Sequence, residues 1–327
     1  NAIGARHDEI IFTSGATESD NIALIGTMQK YADRGNHLIT CVTEHKAILD
    51  TAKHLESLGK KVTYLSVNEY GEINLQELEN AITDDTVMIS IMVANNEIGT
   101  IQDVKAIGEI AHKHEVIFHT DAAQAVGHIP VNVESMNIDL MSFSAHKMYG
   151  PKGIGALYVR GVKPRVKPDG LFYGGGQERG IRSGTLNVPG IVGFGKAMEI
   201  ALKEMDDENK RFKEWSSLML KEFEKIGGNL NGHPTKRLIH NLNVYFPGIE
   251  SKAIINSVSK EIAISAGSAC TTHVVEPSHV LLALGLDDET THYAIRIGIG
   301  RFNSQQEINF LSKKIVYVIQ QIKTITT

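Results

Sequence analysis

The sequence has little of what disulfide-rich, fibrous or nucleic-acid-binding proteins require. Among 327 residues there are only two cysteines, Cys41 and Cys270, too few for a disulfide framework and typical of a reducing compartment such as the cytoplasm. Eight prolines exclude Pro-rich linkers as a main feature. The formal net charge is −5, so the basic excess that binds phosphate backbones is missing. Direct binding of nucleic acid is therefore not expected.

Long apolar runs are also missing. No segment approaches the roughly 18 consecutive apolar residues of a membrane span, and the first nine residues are too polar for a signal peptide. Hydrophobic residues nevertheless make up 42% of the chain, which is enough for a large core. We therefore expect an intracellular protein without a membrane partner, built as one large domain or two ordinary ones.

Short β-branched runs alternate with longer amphipathic segments in the first half of the chain. Strands are predicted at 10–12, 38–42, 62–65, 87–93, 116–119 and 140–143, and helices at 18–32, 46–58, 75–82 and 104–114. The run Val87–Val93 is apolar on both faces, as in strands covered by helices on both sides. The predicted fold class is therefore α/β, a mostly parallel sheet with helices on both faces.

The pattern changes after Val159. Lys163-Pro164-Arg165 and a cluster of three glycines precede a long helix predicted at 191–226. Strands are then predicted at 242–246, 262–265 and 294–299, with a last helix at 305–325. We therefore predict a large ligand-binding domain at 1–190 and, at 191–327, a connecting helix with a smaller C-terminal α/β domain.

Ligands bind at the carboxyl ends of strands in an open α/β sheet, so polar residues that follow apolar runs are the site candidates. The first such segment runs from Thr13 to Glu18, where small and hydroxyl-bearing residues end a strand and open a helix. The free amides of this turn could bind an anion such as phosphate. An ordinary Ser/Thr helix cap is the alternative.

His45 and Asp121 follow two other predicted strands. An acid in this position can accept a hydrogen bond from a ring nitrogen of a bound cofactor and keep that ring cationic. Taken singly, Asp121 also fits a helix-capping residue, and His45 fits a packed or solvated histidine.

Lys147 stands between an apolar strand and the glycine-rich turn Gly150–Gly153. A free ammonium is costly to bury in such a position. A lysine whose charged form is disfavoured becomes a nucleophile that can form a Schiff base with an aldehyde cofactor. The alternative is a lysine whose stem packs while its charged head stays in water.

Several motifs occur in a particular order along nearly the whole chain. They are Gly15-Ala16-Thr17-Glu18, Thr43-Glu44-His45-Lys46, Asn95-Asn96-Glu97-Ile98-Gly99, Asp121, Ser144-Ala145-His146-Lys147, the segment from Gly175 to Thr185, and Ser268-Ala269-Cys270. In this order they resemble the class V branch of the fold-type-I pyridoxal-phosphate enzymes. Within that branch they resemble the cysteine desulfurases of the NifS and IscS type.

The resemblance implies that pyridoxal 5'-phosphate is the cofactor and that Lys147 binds it covalently. Asp121 would contact the ring nitrogen, Gln124 and Asn96 the phenolic side, and His45 would stack on the ring and assist proton transfer. The phosphate would be held by Ala16, Thr17, Ser144 and His146, with Thr185 reaching in from a second subunit of a homodimer. Arg296, with Asn96, would bind the substrate, whose carboxylate suits a guanidinium group.

The two cysteines differ in their surroundings. Cys41 lies inside an apolar predicted strand, where burial would raise its pKa and leave it inert. Cys270 lies among small residues of a predicted loop, which suits a nucleophile that must approach a substrate and then deliver its cargo. The resemblance implies that Cys270 takes sulfur from L-cysteine as a persulfide and leaves L-alanine. A surface cysteine without function is the alternative.

Other functions are compatible with the same scaffold. The nearest are a selenocysteine lyase or an aminotransferase, and another is an impaired sulfur-relay subunit. No metal is expected, because His112 and His114 lie two apart on a predicted helix and do not share a face. The sulfur acceptor stays open among an iron-sulfur scaffold, a tRNA-thiolation protein and a DNA-phosphorothioation component. Members of the family usually have a further segment before the first strand, which the sequence does not contain.

Overall fold

The computed structural model describes residues 2–266 and 277–326, so Cys270 lies outside the described residues. The chain divides into two compact units. Unit 1 comprises residues 1–66, 73–95 and 102–205, and unit 2 comprises 67–72, 96–101 and 206–327. The division falls within one continuous helix, Val188–Glu224. The assignment of domains to 1–190 and 191–327 stays a prediction.

The described strands of unit 1 form a seven-stranded sheet. They are β1 (Ile10–Thr13), β2 (His37–Cys41), β3 (Lys61–Leu65), β4 (Thr86–Ser90), β5 (Ile117–Asp121), β6 (Leu140–Ser144) and β7 (Gly155–Val159), in the order β1-β7-β6-β5-β4-β2-β3. Strands β6, β5, β4, β2 and β3 run parallel, whereas β7 is antiparallel to both β6 and β1. The sheet is flanked by helices, which confirms the predicted α/β class with a mostly parallel sheet.

The helices that begin in unit 1 differ in how their first turns are capped. They are α1 (Ala16–Lys30), α2 (Lys46–Ser57), α3 (Leu75–Ala81), α4 (Val104–Lys113) and α5 (Val188–Glu224). His45, Asn74 and Asp103 cap helices α2, α3 and α4, because each side chain accepts a hydrogen bond from a first-turn amide. Helix α1 begins after Gly15, which has no side chain to cap it. The first amides of α1 therefore remain available for a ligand.

Helix α1 is held firmly against the sheet. It buries Ile22, Leu24 and Met28 in the main core of unit 1, together with strand residues such as Leu140. Full burial of each such side chain contributes about 1.5–3 kcal/mol. Gly26 also lets the helix approach another segment closely, since a Cβ there would lie 2.3 Å from a backbone oxygen. The position of the N-terminus of α1 is thus fixed by packing.

The described strands of unit 2 form a smaller antiparallel sheet. They are β8 (Asn229–Leu230), β9 (Asn241–Tyr245), β10 (Ser265–Ala266) and β11 (Ala294–Gly298), in the order β10-β11-β9-β8. The described helices that begin in this unit are α6 (Ser251–Val258), α7 (His279–Ala283), α8 (Asp288–Thr291) and α9 (Gln305–Thr326). The strand predicted at 262–265 thus begins only at Ser265. The core includes Phe223 and Phe246, whose rings meet edge to face at 5.8 Å.

Among the described residues, no helix is both long enough and apolar enough to cross a membrane.

Candidate active site

The turn between β1 and α1 is closed by its own side chains. The Thr13 and Ser19 hydroxyls lie 2.8 Å apart, and the Ser14 amide donates to Glu18 Oε2 at 2.9 Å. The amides of Ala16 and Thr17 have no acceptor among the residues that the structure describes. Unpaired amides at the start of a helix favour an anionic ligand. The alternative that the sequence left open, an ordinary Ser/Thr helix cap, is not found, since no side chain caps α1.

Ser144 and His146 lie beside this turn. Ser144 Oγ is 2.8 Å from His146 Nδ1, and a Cβ built on Gly15 would lie 3.8 Å from Ser144 Oγ. Partial burial and the charges of Lys147 and Lys152 lower the pKa of His146. The structure therefore places the hydroxyl and imidazole of the Ser144–His146 pair next to the turn that carries Ala16 and Thr17.

The close approach of strand β7 to the same turn requires a glycine. A Cβ on Gly155 would lie 2.6 Å from Gly15 Cα and 2.8 Å from the Phe143 oxygen, distances that real Cβ atoms do not show. Gly155 thus lets β7 pass directly behind the turn.

Asp121 ends strand β5 as a buried carboxylate with one oxygen still open. The Ala123 amide donates to Oδ1 at 2.8 Å, which holds a local turn. No described helix begins between β5 and β6, so the helix-capping role that the sequence left open is not found. No described residue donates a hydrogen bond to Oδ2. Burial raises the pKa of Asp121, while the hydrogen bond from the Ala123 amide and the charge of Lys147 act in the opposite direction. A cation bound at Oδ2 would further favour the ionised carboxylate.

Lys147 lies in a 3-10 turn, Ala145–Met148, directly after strand β6. Its backbone oxygen accepts a hydrogen bond from His128 Nε2 at 2.8 Å, which holds the turn. The side chain is exposed in this chain, so the expectation of a costly buried ammonium is wrong for the chain on its own. Its charge nevertheless acts on Asp121, which places both residues in one electrostatic site.

His45 is exposed and caps helix α2, where its Nδ1 accepts a hydrogen bond from the Ala47 amide at 3.1 Å. A backbone amide can only donate, so Nδ1 carries no proton in this arrangement. A neutral His45 therefore has its proton on Nε2. This atom is a proton donor rather than an acceptor.

The remaining predicted residues occupy both units. In unit 1, Gln124 is half-buried in the turn that follows Asp121, and Thr185 is exposed. In unit 2, Arg296 Nη1 donates to the Asn96 backbone oxygen at 3.1 Å. The two residues predicted to bind substrate thus lie together within unit 2.

The environment of Cys41 agrees with the predicted inert thiol. It is buried in β2, with Sγ 3.1 Å from Thr43 Oγ1, and burial, reinforced by the charge of Glu44, raises its pKa to about 12. The predicted role of Cys270 lies outside the described residues.

Sequence reasoning missed a buried polar group next to Asp121. His119 lies two residues earlier on β5 and Ser142 lies opposite Asp121 on β6, so all three side chains are on one face of the sheet. His119 Nε2 is 3.0 Å from Ser142 Oγ and 3.6 Å from Oδ1 of Asp20, a fully buried residue of α1. Burial lowers the pKa of His119 to about 3. The one sequence signal for this buried group was Asp20, an acid among the apolar residues of α1.

Burial also raises the pKa of Asp20 well above its ordinary value, and the charge of Asp121 adds to this effect. Neither oxygen of Asp20 has a hydrogen-bond partner among the described residues. Both observations favour a protonated, neutral Asp20 beside a neutral His119.

The two histidines considered for metal binding have separate partners. His112 Nε2 lies 3.0 Å from Asp139, and His114 Nε2 lies 2.9 Å from Glu79. Within the described ranges no cluster of three or more metal-ligating side chains occurs.

Comparisons with known proteins identify the family and the fold. The family model described as aminotransferase class-V matches residues 1–311. A protein of Neisseria meningitidis serogroup A described as cysteine desulfurase IscS is 50% identical over 325 residues, which are 99% of this chain and 80% of that protein. A solved structure described as a NifS-like protein has a TM-score of 0.90 at 39% identity and covers 98% of this chain and 84% of its own. Another, described as SspA in complex with cysteine, has a TM-score of 0.80 at 38% identity, with 93% and 84% covered.

Proposed function

Because the chain belongs to the class-V aminotransferase family, we propose that it is a cysteine desulfurase that uses pyridoxal 5'-phosphate. It converts L-cysteine to L-alanine and transfers the sulfur to Cys270. The observation that carries this proposal is that the buried Asp121, Lys147 and His45 follow strands β5, β6 and β2 of one sheet at their carboxyl ends, and that the charge of Lys147 acts on Asp121. The likeness to proteins described as cysteine desulfurases supports the choice of reaction.

The residues of unit 1 fit this cofactor chemically. The amides of Ala16 and Thr17, with the Ser144–His146 pair, suit a phosphate. The open Oδ2 of Asp121 suits a protonated ring nitrogen. When bound, the cofactor supplies an aldehyde that reacts with amines and a ring that accepts electrons from the substrate Cα. Gln124 stays the proposed contact on the phenolic side.

Asp121, Lys147 and His45 have different proton-transfer roles in this proposal. Asp121 holds the proton at the ring nitrogen, because its ionised form is stabilised by a neighbouring cation. Nε2 of a neutral His45 already carries a proton, as the hydrogen bond from Ala47 requires. The amine of Lys147 therefore removes the Cα proton, and His45 donates a proton on the product side.

Cys270 acts on the substrate sulfur. Its thiolate forms a new S–S bond with that sulfur while the bond between Cβ and sulfur breaks, and the electron pair of that bond goes to Cβ, which is then protonated. Alanine and a Cys270 persulfide result, with no external oxidant or reductant needed. An ordinary thiol has a pKa of about 8.5, so Cys270 must be deprotonated first. Arg296 and Asn96 bind the substrate in this proposal.

The assembly and the destination of the sulfur complete the proposal. The exposed Thr185 supports a phosphate contact in a second subunit, and hence a homodimer. The acceptor is a protein, for which an iron-sulfur scaffold, a tRNA-thiolation protein and a DNA-phosphorothioation component are the candidates. We propose a cytoplasmic location from the cysteine content alone.

The test is the release of alanine and sulfide from L-cysteine with a reductant present. Wild type and the matched control Cys41→Ser should give equal amounts of both products. Cys270→Ser should keep the visible absorbance of the bound cofactor but release neither product, and Lys147→Ala should lose that absorbance.

Three other outcomes would favour the alternatives. A keto acid in place of alanine would indicate an aminotransferase. Full activity of Cys270→Ser on L-selenocysteine would indicate a selenocysteine lyase. Absence of the cofactor absorbance in wild type would indicate an impaired sulfur-relay subunit.

A further inference from the structure

The turn between β1 and α1 is held from outside by one segment of unit 1, residues 177–184. Glu178 Oε2 accepts a hydrogen bond from the Phe12 amide at 2.7 Å, immediately before the turn. Arg182 Nε donates to Glu18 Oε1 at 2.7 Å, immediately after it. The two contacts bracket the amides of Ala16 and Thr17 on either side.

Glu18 has two opposing effects on a phosphate bound at this turn. Its Oε2 accepts the Ser14 amide and closes the turn, as a carboxylate in the first turn of a helix commonly does. Its negative charge, however, would repel a phosphate at the same amides. Partial burial opposes ionisation of Glu18, but hydrogen bonds from Arg182 and Ser14 outweigh it and lower its pKa. Arg182 therefore offsets a charge that the turn needs for its shape.

The Arg182–Glu18 ion pair is less exposed to solvent than an ordinary surface ion pair. The side chains are only 25% and 11% exposed, so solvent screens their attraction less than on an open surface. The guanidinium also lies 5.7 Å from the centre of the Phe172 ring. Gln177 Oε1 accepts the Gly184 amide at 2.9 Å, which ties the two ends of the segment together.

We propose that Arg182 and Glu178 are positioning residues for the cofactor phosphate: they hold the turn between β1 and α1 in its binding geometry, and Arg182 also neutralises Glu18. The proposal rests on the proposed function, because it takes the phosphate of the cofactor as the ligand of this turn. Neither residue is required to contact the cofactor itself.

The test compares two ligands that differ only in the phosphate. Affinities for pyridoxal 5'-phosphate and for pyridoxal are measured by absorbance titration of the cofactor-free full chain, with inorganic phosphate as a competitor. Arg182→Gln should weaken binding of the phosphorylated ligand about tenfold, the loss expected for one charge-assisted hydrogen bond, and leave pyridoxal binding within about twofold. Weaker competition by inorganic phosphate should accompany this loss.

Matched variants separate positioning from folding. Glu178→Gln keeps an acceptor for the Phe12 amide and should bind as wild type does, whereas Glu178→Ala should lose affinity for the phosphorylated ligand. Adding Glu18→Gln to Arg182→Gln should recover part of the loss, because the uncompensated carboxylate is removed. Lys113→Gln breaks an ion pair with Glu79 elsewhere in unit 1 and is the control. Circular dichroism checks that each variant is folded.

Two results overturn the proposal while leaving the proposed function intact. The first is an equal loss of affinity for both ligands in Arg182→Gln, which would indicate a merely structural role. The second is an unchanged affinity for both ligands in Arg182→Gln. Wild-type protein that binds neither ligand would overturn the proposed function, and this proposal with it.

Discussion

Replacing Asp20 by asparagine should stabilise the protein at neutral pH, and the gain should grow as the pH rises. Asp20 is fully buried, and its oxygens have no hydrogen-bond partner at ordinary length among the described residues, so asparagine loses at most a long contact with Ser142. Burial raises the pKa of Asp20 well above its ordinary value of 3.8, and the charges of Asp121 and Glu44 add to the shift. The folded state therefore keeps a proton that the unfolded state releases above about pH 4.

The size of the effect follows from this single proton. Stability that comes from a carboxyl with a raised pKa is present below its unfolded pKa and is lost as the pH rises toward its folded pKa. The loss is about 1.4 kcal/mol for each pH unit over which only the folded state holds the proton. Asparagine cannot ionise, so Asp20→Asn removes this slope.

The assay is urea unfolding of the cofactor-free proteins, followed by circular dichroism from pH 5 to pH 8. The stability of Asp20→Asn relative to wild type should rise with pH, while the exposed control Asp33→Asn should show a small, pH-independent difference. A difference that stays constant or falls with pH would mean that Asp20 is ionised in the fold. In that case the reasoning from its burial would be refuted.

Two further predictions concern the thiols and the glycine behind the turn. Cys41 has a buried thiol with a pKa of about 12, so it should not react with a thiol reagent at pH 8 in the native protein. Only Cys270 should be labelled. Labelling of both cysteines in the native protein would contradict the prediction for Cys41. Gly155→Ala should displace the turn at Gly15, cost about 1–3 kcal/mol in urea unfolding and weaken binding of pyridoxal 5'-phosphate. Gly195→Ala, in helix α5 with open space around it, should instead stabilise by up to about 1 kcal/mol, and a similar cost at both positions would argue against the close approach at Gly155.

Much of the fold could be predicted because helices and buried strands repeat with different periods. Helices α2 and α4 were each predicted to within one residue of their observed bounds. Strand β7 was missed, since its five residues follow a glycine-rich turn without a separate signal. Its antiparallel direction could not be inferred either, because periodicity gives the faces of a strand and not its direction.

The candidate site was predictable only in part. His45, Asp121 and Lys147 follow strands of one sheet, so strand-end reasoning and the family motifs both point to them. The contact of Arg182 with Glu18 joins residues 164 positions apart, and no local pattern indicates it. The exposure of the Lys147 side chain was likewise not predictable, because a strand end does not determine what covers the following turn.

The contact of Glu178 with Phe12 also covers part of the exposed edge of the seven-stranded sheet. Strand β1 is at the edge of the seven-stranded sheet, and an edge strand exposes unpaired backbone groups on which a strand of another molecule can add. The carboxylate of Glu178 occupies one of these groups, the Phe12 amide, from within the same chain. It thereby blocks a position at which edge-to-edge aggregation would begin. Until residues 177–184 have packed during refolding, this amide stays open, and concentrated Glu178→Ala protein should aggregate more than wild type at this stage.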